Sequence, residues 1–274
     1  MDFSYTTIAV DVADGIGHIM LNRPQVLNAI NGVMERELLR ATTSLEQDDS
    51  VRVLLFSGAG RAFCAGYDLK ETATNPVVGA GAWRERLRRH LHQMLAIWDC
   101  RKPSICAVHG YALGGGCDLA MICDLTYASA DAYFGEPEVR FASGVVTQIM
   151  PWVIGMKKTK ELIFTGHDRV PAAEAAAFGL INEVVSDGDV VKHARGVALK
   201  LAKMDPQTLA LSKQAINKRY EVAGLREALA YNIELTTQIE SSENPIRSEF
   251  DRLRRSQGGL KEAIDWRDRR ATLP

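Results

Sequence analysis

The sequence predicts an α/β protein built as a spiral of strand and helix units. Three observations carry this. Short apolar runs rich in β-branched residues alternate with amphipathic stretches, glycines and prolines punctuate the changes, and strand signals vanish after Asp189. Ile8-Ala9-Val10-Asp11 and residues 16–21 flank Asp14-Gly15, a pair that supplies the positive backbone angles of a tight hairpin turn. Residues 31–46 place Val33, Leu38, Leu39 and Leu45 at helical spacing, and 51–56 reads as a short buried strand. A second round runs through an amphipathic helix over 83–98, the breaker Lys102-Pro103 and an apolar strand at 105–108. The third starts at Gly114-Gly115-Gly116, where a short helix through Met121 leads to a strand at 125–128, and Tyr133-Phe134 begins another extended stretch. The fourth contains helices at 157–164 and 171–178, with Pro171 in a first helical turn, and a strand at 181–185. Segments 190–204, 206–220, 225–240 and 260–267 are helical in pattern. Residues 1–198 therefore read as a layered core, and 199–274 as a helical region that caps the core or mediates assembly.

With 274 residues, 46% of them hydrophobic and 24% charged, the chain can bury a full core. Its 33 basic and 34 acidic residues balance, so a nucleic-acid partner is not expected. The basic runs at 84–89 and 252–255 fall in helical stretches and read first as solvated faces, with phosphate contact in reserve. Met1-Asp2-Phe3-Ser4 lacks the basic and then apolar stretch of an export signal. No apolar run nears the ~18 residues that span a bilayer, so a cytoplasmic protein without membrane attachment is expected. Of the five cysteines, Cys64, Cys117 and Cys123 sit in apolar stretches without C-x-x-C spacing, which predicts buried thiols rather than disulfides or a metal site.

The strongest chemical signal is 105–124, ICAVHGYALGGGCDLAMICD, in which a buried strand meets three glycines that open an apolar helix. Such glycines cost entropy and make sense where backbone must approach a ligand closely. The first helical N–H groups lack partners within the helix, and with the positive end of its dipole they suit a developing negative oxygen. A tight packing turn is the alternative. The second signal is 57–70, SGAGRAFCAGYDLK, a glycine-rich loop after a buried strand. A dinucleotide fingerprint starting at Gly58 needs glycine where Phe63 stands, and one starting at Gly79 needs it where Arg84 stands. Neither a G-K-[ST] phosphate loop nor a G-x-S-x-G nucleophile elbow occurs.

Four segments, met in order, resemble the crotonase (enoyl-CoA hydratase/isomerase) superfamily. They are Asn22-Arg23-Pro24 with Leu27-Asn28-Ala29, then 62–69, then 110–124, then Phe134-Gly135-Glu136-Pro137-Glu138. The match continues through Thr165-Gly166 and 173–185 and covers nearly the whole chain. The resemblance implies a crotonase-like spiral of ββα turns with a C-terminal helical region that drives homotrimers, usually paired into hexamers. It implies an acyl-CoA thioester as substrate, with coenzyme A as part of that substrate and no separate cofactor. By motif, the backbone N–H groups of Ala65 and Gly115 would form the oxyanion hole. Cys64, Gly66, Tyr67, Asp68, Leu69 and Gly114 share those motifs and are expected to bind substrate. Arg23, Lys261 and Arg267 resemble positions near the CoA phosphates, where positive charge assists binding. Tyr67, Leu69 and Trp83 are candidates for the acyl pocket.

Hydratases of this family use two glutamates, and the matching positions hold Asp118 and Glu138. Asp118 lies three residues after Gly115, on the same side of a helix. Glu138 follows Pro137 in a stretch read as extended, and an apolar pocket there would raise its affinity for protons toward neutral pH. Alone, such residues are more often capping or surface groups, and it is the registration with the family that assigns them catalysis. The chain departs from the hydratase pattern twice. Asp118 is one methylene shorter than the usual glutamate, and the segment 139–148 is shorter than the usual glycine-rich loop. Dienoyl-CoA isomerases share an aspartate at the first position but add an acid where this chain has Val146. If the strand alternates, Glu136, Glu138 and Arg140 share a face, so Arg140 either tunes Glu138 or contacts the acyl group, or else forms an ion pair with Glu136. His109 and His167 sit beside glycines and read as structural.

The first expectation is hydration of a 2-enoyl-CoA, with Glu138 as principal acid/base and Asp118 orienting water. A double-bond isomerase is the nearest alternative, since it needs only one carboxylate. A hydrolase or decarboxylase can use the same hole, and a catalytically silent CoA-binding protein is the alternative of a different class.

Overall fold

A computed structural model gives the fold of residues 4–186 and 189–271; Met1, Asp2 and Phe3, which open the stretch read for an export signal, lie outside the described residues. The opening hairpin forms between β1 (Ile8–Ala13) and β2 (Ile16–Leu21), with Asp14 and Gly15 at φ 57° and 77°. Helix α1 (Gly32–Gln47) starts at Asn31, whose side chain accepts from the N–H of Met34. Then come β3 (Val53–Gly58), α2 (Leu69–Thr74), α3 (Ala80–Asp99), β4 (Ser104–Val108), β5 (Tyr111–Leu113) and α4 (Gly115–Ile122). The third and fourth rounds comprise β6 (Leu125–Ser129), β7 (Tyr133–Gly135), α5 (Met150–Ile154), α6 (Met156–Thr165), β8 (Val170–Pro171), α7 (Ala172–Ala177) and β9 (Glu183–Val185). Helices α8 (Val190–Leu201), α9 (Pro206–Val222), α10 (Leu225–Ser241), α11 (Pro245–Arg254) and α12 (Gly259–Ala271) complete the chain.

The large sheet runs β1-β2-β3-β4-β6-β9 and is parallel beyond the hairpin; the small sheet runs β5-β7-β8. Each round lays one strand in the large sheet, the next in the small one, and then a helix: β4, β5 and α4, followed by β6, β7 and α5. Earlier rounds reduce the second strand to single bridges, Ile30 with Tyr67 and Cys64 with Ala112. The glycine-rich loop therefore occupies a strand position beside β5, held against the start of α4.

The alternation of β3 explains the two cores. Leu54 and Phe56 face α1, α3, α4 and the small sheet, while Val53 and Leu55 face α8 through Val190, Ala194 and Ala198. All four β3 side chains are fully buried, and each contributes about 1.5–3 kcal/mol by leaving water.

Several expectations change. Glu138–Phe141 is a 3-10 turn where an extended strand was read: the φ of −82° at Pro137 suits extended and turn backbone alike, and its ψ of 3° turns the chain. Glu136, Glu138 and Arg140 consequently do not alternate along a strand face. Pro171 precedes α7 at its N-cap instead of standing in the first turn. The boundary at 198/199 falls within α8. Elements α2, α5, α11, β5 and β8, which the periodicity did not resolve, are short or polar. Among the described residues no helix is long and apolar enough to cross a membrane.

Candidate active site

The glycine triplet is required by three close approaches. A β-carbon on Gly114 would run into Oε1 of Glu138, one on Gly115 would stand 2.7 Å from Cε2 of Tyr67, and one on Gly116 would meet the carbonyl oxygen of Cys64. Gly114 also has φ 51° and ψ −125°, backbone angles that disfavour any other residue. The start of α4 is thus wedged between a carboxyl group, an aromatic ring and the backbone of the preceding loop.

The expected donor Ala65 is a correction. Its N–H donates to the Leu27 carbonyl at 3.0 Å, so it is already committed and cannot hold an oxyanion. Leu27 and Asn28 have φ 53° and 56°, and this left-handed pair aims that carbonyl at the loop. The available donor lies two residues on. Ile30 pairs with the Gly66 carbonyl at 2.8 Å and with the Asp68 N–H at 2.9 Å, so the intervening Tyr67 N–H points to the opposite edge of the loop. Among the described residues no oxygen accepts from the N–H of Tyr67 or of Gly115. The two segments adjoin: a β-carbon on Gly66 would stand 3.5 Å from the Gly115 nitrogen.

A cavity of about 470 Å³ opens over this junction. Of the residues named from sequence, Ala65, Gly66, Tyr67, Asp68, Leu69, Gly114, Glu138 and Arg267 line it. Gly115 and Asp118 are buried and are not on its wall. A smaller cavity of about 130 Å³ shares Tyr67, Leu69, Phe141 and Val146 with it and adds Trp83, Leu87 and Phe250. Tyr67 stands between the two. Its ring stacks on His90 with centroids 4.0 Å apart and planes at 10°, and His90 Nε2 lies 3.3 Å from Glu35 Oε2.

Three carboxyl groups gather at this end. Asp118 is 1% exposed; its Oδ2 accepts from the Thr147 N–H at 3.2 Å and its Oδ1 is unpartnered among the described residues. Glu136, also 1% exposed, has no hydrogen-bond partner there on either oxygen. Burial pushes Asp118 well above the usual carboxylate range, and the charge of Glu138 adds to this. Burial does the same to Glu136, with Asp118 and Glu138 adding. Glu138 is pushed by burial up to about 7, against the pull of its own backbone N–H, Glu136 and Arg267.

Other expectations do not hold. Arg140 neither contacts the acyl cavity nor pairs with Glu136; it binds Asp168 at 2.9 Å and Asp268 at 2.8 Å. The turn after Pro137 carries Arg140 toward α12, where Arg267 completes the ring through Asp168 at 3.1 Å and Asp268 at 2.7 Å. Cys64 is sealed beneath the loop, its thiol donating to the Asn28 carbonyl at 3.2 Å, and burial pushes it up to about 12. Arg23 is held by Asp68 at 2.8 Å and is not on the cavity wall; Asp68 also caps α2. Lys261 is exposed and off the wall. The two histidines read as structural also stay out of the cavity, His109 pairing with the Gly60 carbonyl at 2.9 Å. Beside Arg267, the cations that line the cavity are Arg61, Lys70 and Arg169. Arg61 and Lys70 flank the segment 62–69, a signal the sequence reading left unused.

These features coincide with known proteins. Residues 11–249 match the model of the enoyl-CoA hydratase/isomerase family, and the chain belongs to that family. It is 35% identical over 235 residues to the short-chain-enoyl-CoA hydratase of Clostridium acetobutylicum, covering 82% of this chain and 86% of the relative. It is 38% identical over 218 residues to the human mitochondrial enoyl-CoA hydratase domain-containing protein 2, covering 76% and 73%. The crystal structure of an enoyl-CoA hydratase/isomerase from Xanthobacter autotrophicus Py2 matches with a TM-score of 0.95 at 38% identity, covering 99% of this chain and 100% of that one. The crotonase fold implied by the motifs is the fold observed.

Proposed function

We propose that the protein is an enoyl-CoA hydratase, adding water reversibly to the double bond of a 2-enoyl-CoA thioester. The observation that carries the reading is the pair of unused amides, Tyr67 and Gly115, beside a cavity walled by Glu138. Addition of water at the conjugated chain moves charge onto the thioester oxygen, and two preorganised N–H donors hold it there. One such donor is worth ~2.7–4 kcal/mol of transition-state stabilisation. Glu138, with a proton affinity near neutrality, takes the proton of the attacking water and returns it to carbon. Asp118 acts from behind the wall, in ordering the groups about that water. Arg61, Lys70 and Arg169 supply positive charge for the CoA phosphates. The reaction moves only protons and water, so this reading needs no cofactor beyond the coenzyme A of the substrate.

Incubation with crotonyl-CoA should form 3-hydroxybutyryl-CoA. No such product, with turnover of a 3-enoyl-CoA, would reject hydration in favour of double-bond isomerisation. That second reading draws on Glu138 being the one of the two proposed catalytic carboxyls on the cavity wall, because isomerisation needs a single proton carrier. A purely CoA-binding role has no use for a carboxyl tuned to neutrality. For assembly, α9 and α10 expose Leu211, Ile216, Val222, Tyr231, Leu235 and Ile239, and our reading is that 199–274 drives homotrimers that pair as hexamers. Sedimentation at trimer or hexamer mass supports this, and a monomer refutes it. Five free cysteines suit a reducing compartment such as the cytoplasm.

A further inference from the structure

We propose that Glu136 is a positioning residue for Glu138: it carries a proton that the two carboxyl groups share, so that Glu138 enters each turnover as the single ionised member of the pair. This rests on Glu138 being the proton carrier of the proposed reaction.

The starting observation is a buried acid without a cation. Glu136 lies at the end of β7, where its backbone N–H donates to the His167 carbonyl at 3.2 Å, and Pro137 alone separates it from Glu138. Its side chain is 1% exposed and neither oxygen is partnered among the described residues. The titratable groups that act on it are Asp118 and Cys117 of α4, Glu138, and Tyr67 of the glycine-rich loop. Glu138 is faced in turn by Arg267 of α12 and Glu240 of α10. Neither nearby guanidinium is free to neutralise Glu136: Arg140 and Arg267 are both engaged by Asp168 and Asp268. Like charges so placed cannot all ionise, and the most enclosed members keep their protons.

A neutral Glu136 presents an O–H to the Glu138 carboxylate, which favours the anion of Glu138 and orients its free oxygen toward the cavity. When Glu138 accepts a proton from water, the pair holds two; when Glu138 returns it to carbon, the pair again holds one. Glu136 itself undergoes no net change. A leucine or methionine would fill the space without the cost of burying a carboxyl, which is why a proton-sharing role explains the glutamate better than packing does.

The test compares pH profiles of kcat on crotonyl-CoA for the wild type, Glu136→Gln and Glu136→Leu. Glutamine keeps the shape and a donor but does not titrate; leucine removes the donor. The wild type should give a bell, its acid limb from Glu138 and its alkaline limb from Glu136. Glu136→Gln should keep the acid limb and lose the alkaline one. Glu136→Leu should move the acid limb to higher pH and lower kcat about tenfold or more, with KM little changed. Profiles that superimpose on the wild type, or an alkaline limb that survives in Glu136→Gln, overturn the proposal. Infrared spectra give a readout independent of activity: the protonated-carboxyl band at neutral pH should lose intensity in Glu136→Gln, and an unchanged band overturns the assignment. Full activity of Glu138→Gln would instead sink the reading of Glu138, whereas an inactive Glu138→Gln with unaltered Glu136 variants sinks the role of Glu136 alone.

Discussion

A side chain at Gly114 would collide with Oε1 of Glu138. The glycine that opens α4 and the carboxyl group proposed to carry the proton therefore share one space. Gly114→Ala must displace the carboxyl or the loop, and its φ of 51° adds backbone strain. A displacement of ~1 Å costs on the order of 100-fold in rate. We expect kcat to fall by about that factor, with folding retained, as checked by steady-state kinetics and thermal melting.

Glu138→Gln preserves shape and removes proton transfer. The expected result is a fall in kcat of ~10²–10⁴-fold with KM little changed. Titration with crotonyl-CoA under initial-rate conditions measures both constants.

The pH dependence follows from the same residue. Burial pushes Glu138 up to about 7, and the active base is the ionised form. Activity should climb with pH through about 7 on an acid limb that changes ~tenfold per pH unit, ahead of the alkaline limb assigned to Glu136. A plot of kcat/KM against pH checks this, and an acid limb in the ordinary carboxylate range would contradict it.

Stability should run the opposite way. Asp118 and Glu136 are raised by burial, so the folded protein binds their protons more tightly than the unfolded chain does. Their contribution is fully present below the unfolded carboxylate range and is lost as pH rises through their native values. Asp118→Asn keeps an acceptor for the Thr147 N–H and removes the ionisation. Calorimetry should show a shallower loss of Tm with rising pH for Asp118→Asn than for the wild type.

Arg140 tests the ring of charges that ties the Glu138 turn to α12. Its side chain is 13% exposed, so Arg140→Ala leaves Asp168 and Asp268 partly buried with one cation fewer. About 2 kcal/mol of destabilisation is expected, below the ~3–5 kcal/mol of a fully buried pair because solvent reaches this one. Denaturant unfolding measures it, and Arg140→Lys should recover part.

Much of this protein was legible in its sequence. Asp14-Gly15 marks its hairpin, helical spacing marks α1 and α3, and the glycine triplet marks the close approaches at α4, because each of these is dictated by residues a few positions apart. The family and its fold follow from motifs read in order. What the residues alone left open was direction. The Ala65 amide was the expected donor, yet which amide of that loop is free depends on how Ile30 and Leu27, some forty residues upstream, bridge it. Arg140 was expected to tune Glu138, to contact the acyl group or else to pair with Glu136, yet it turns to α12 and Glu136 is sealed among acids. Local periodicity encodes elements, because helices and strands satisfy their own backbones. Burial, charge partners and the aim of an amide are set by segments distant in the chain, and only their packing decides them.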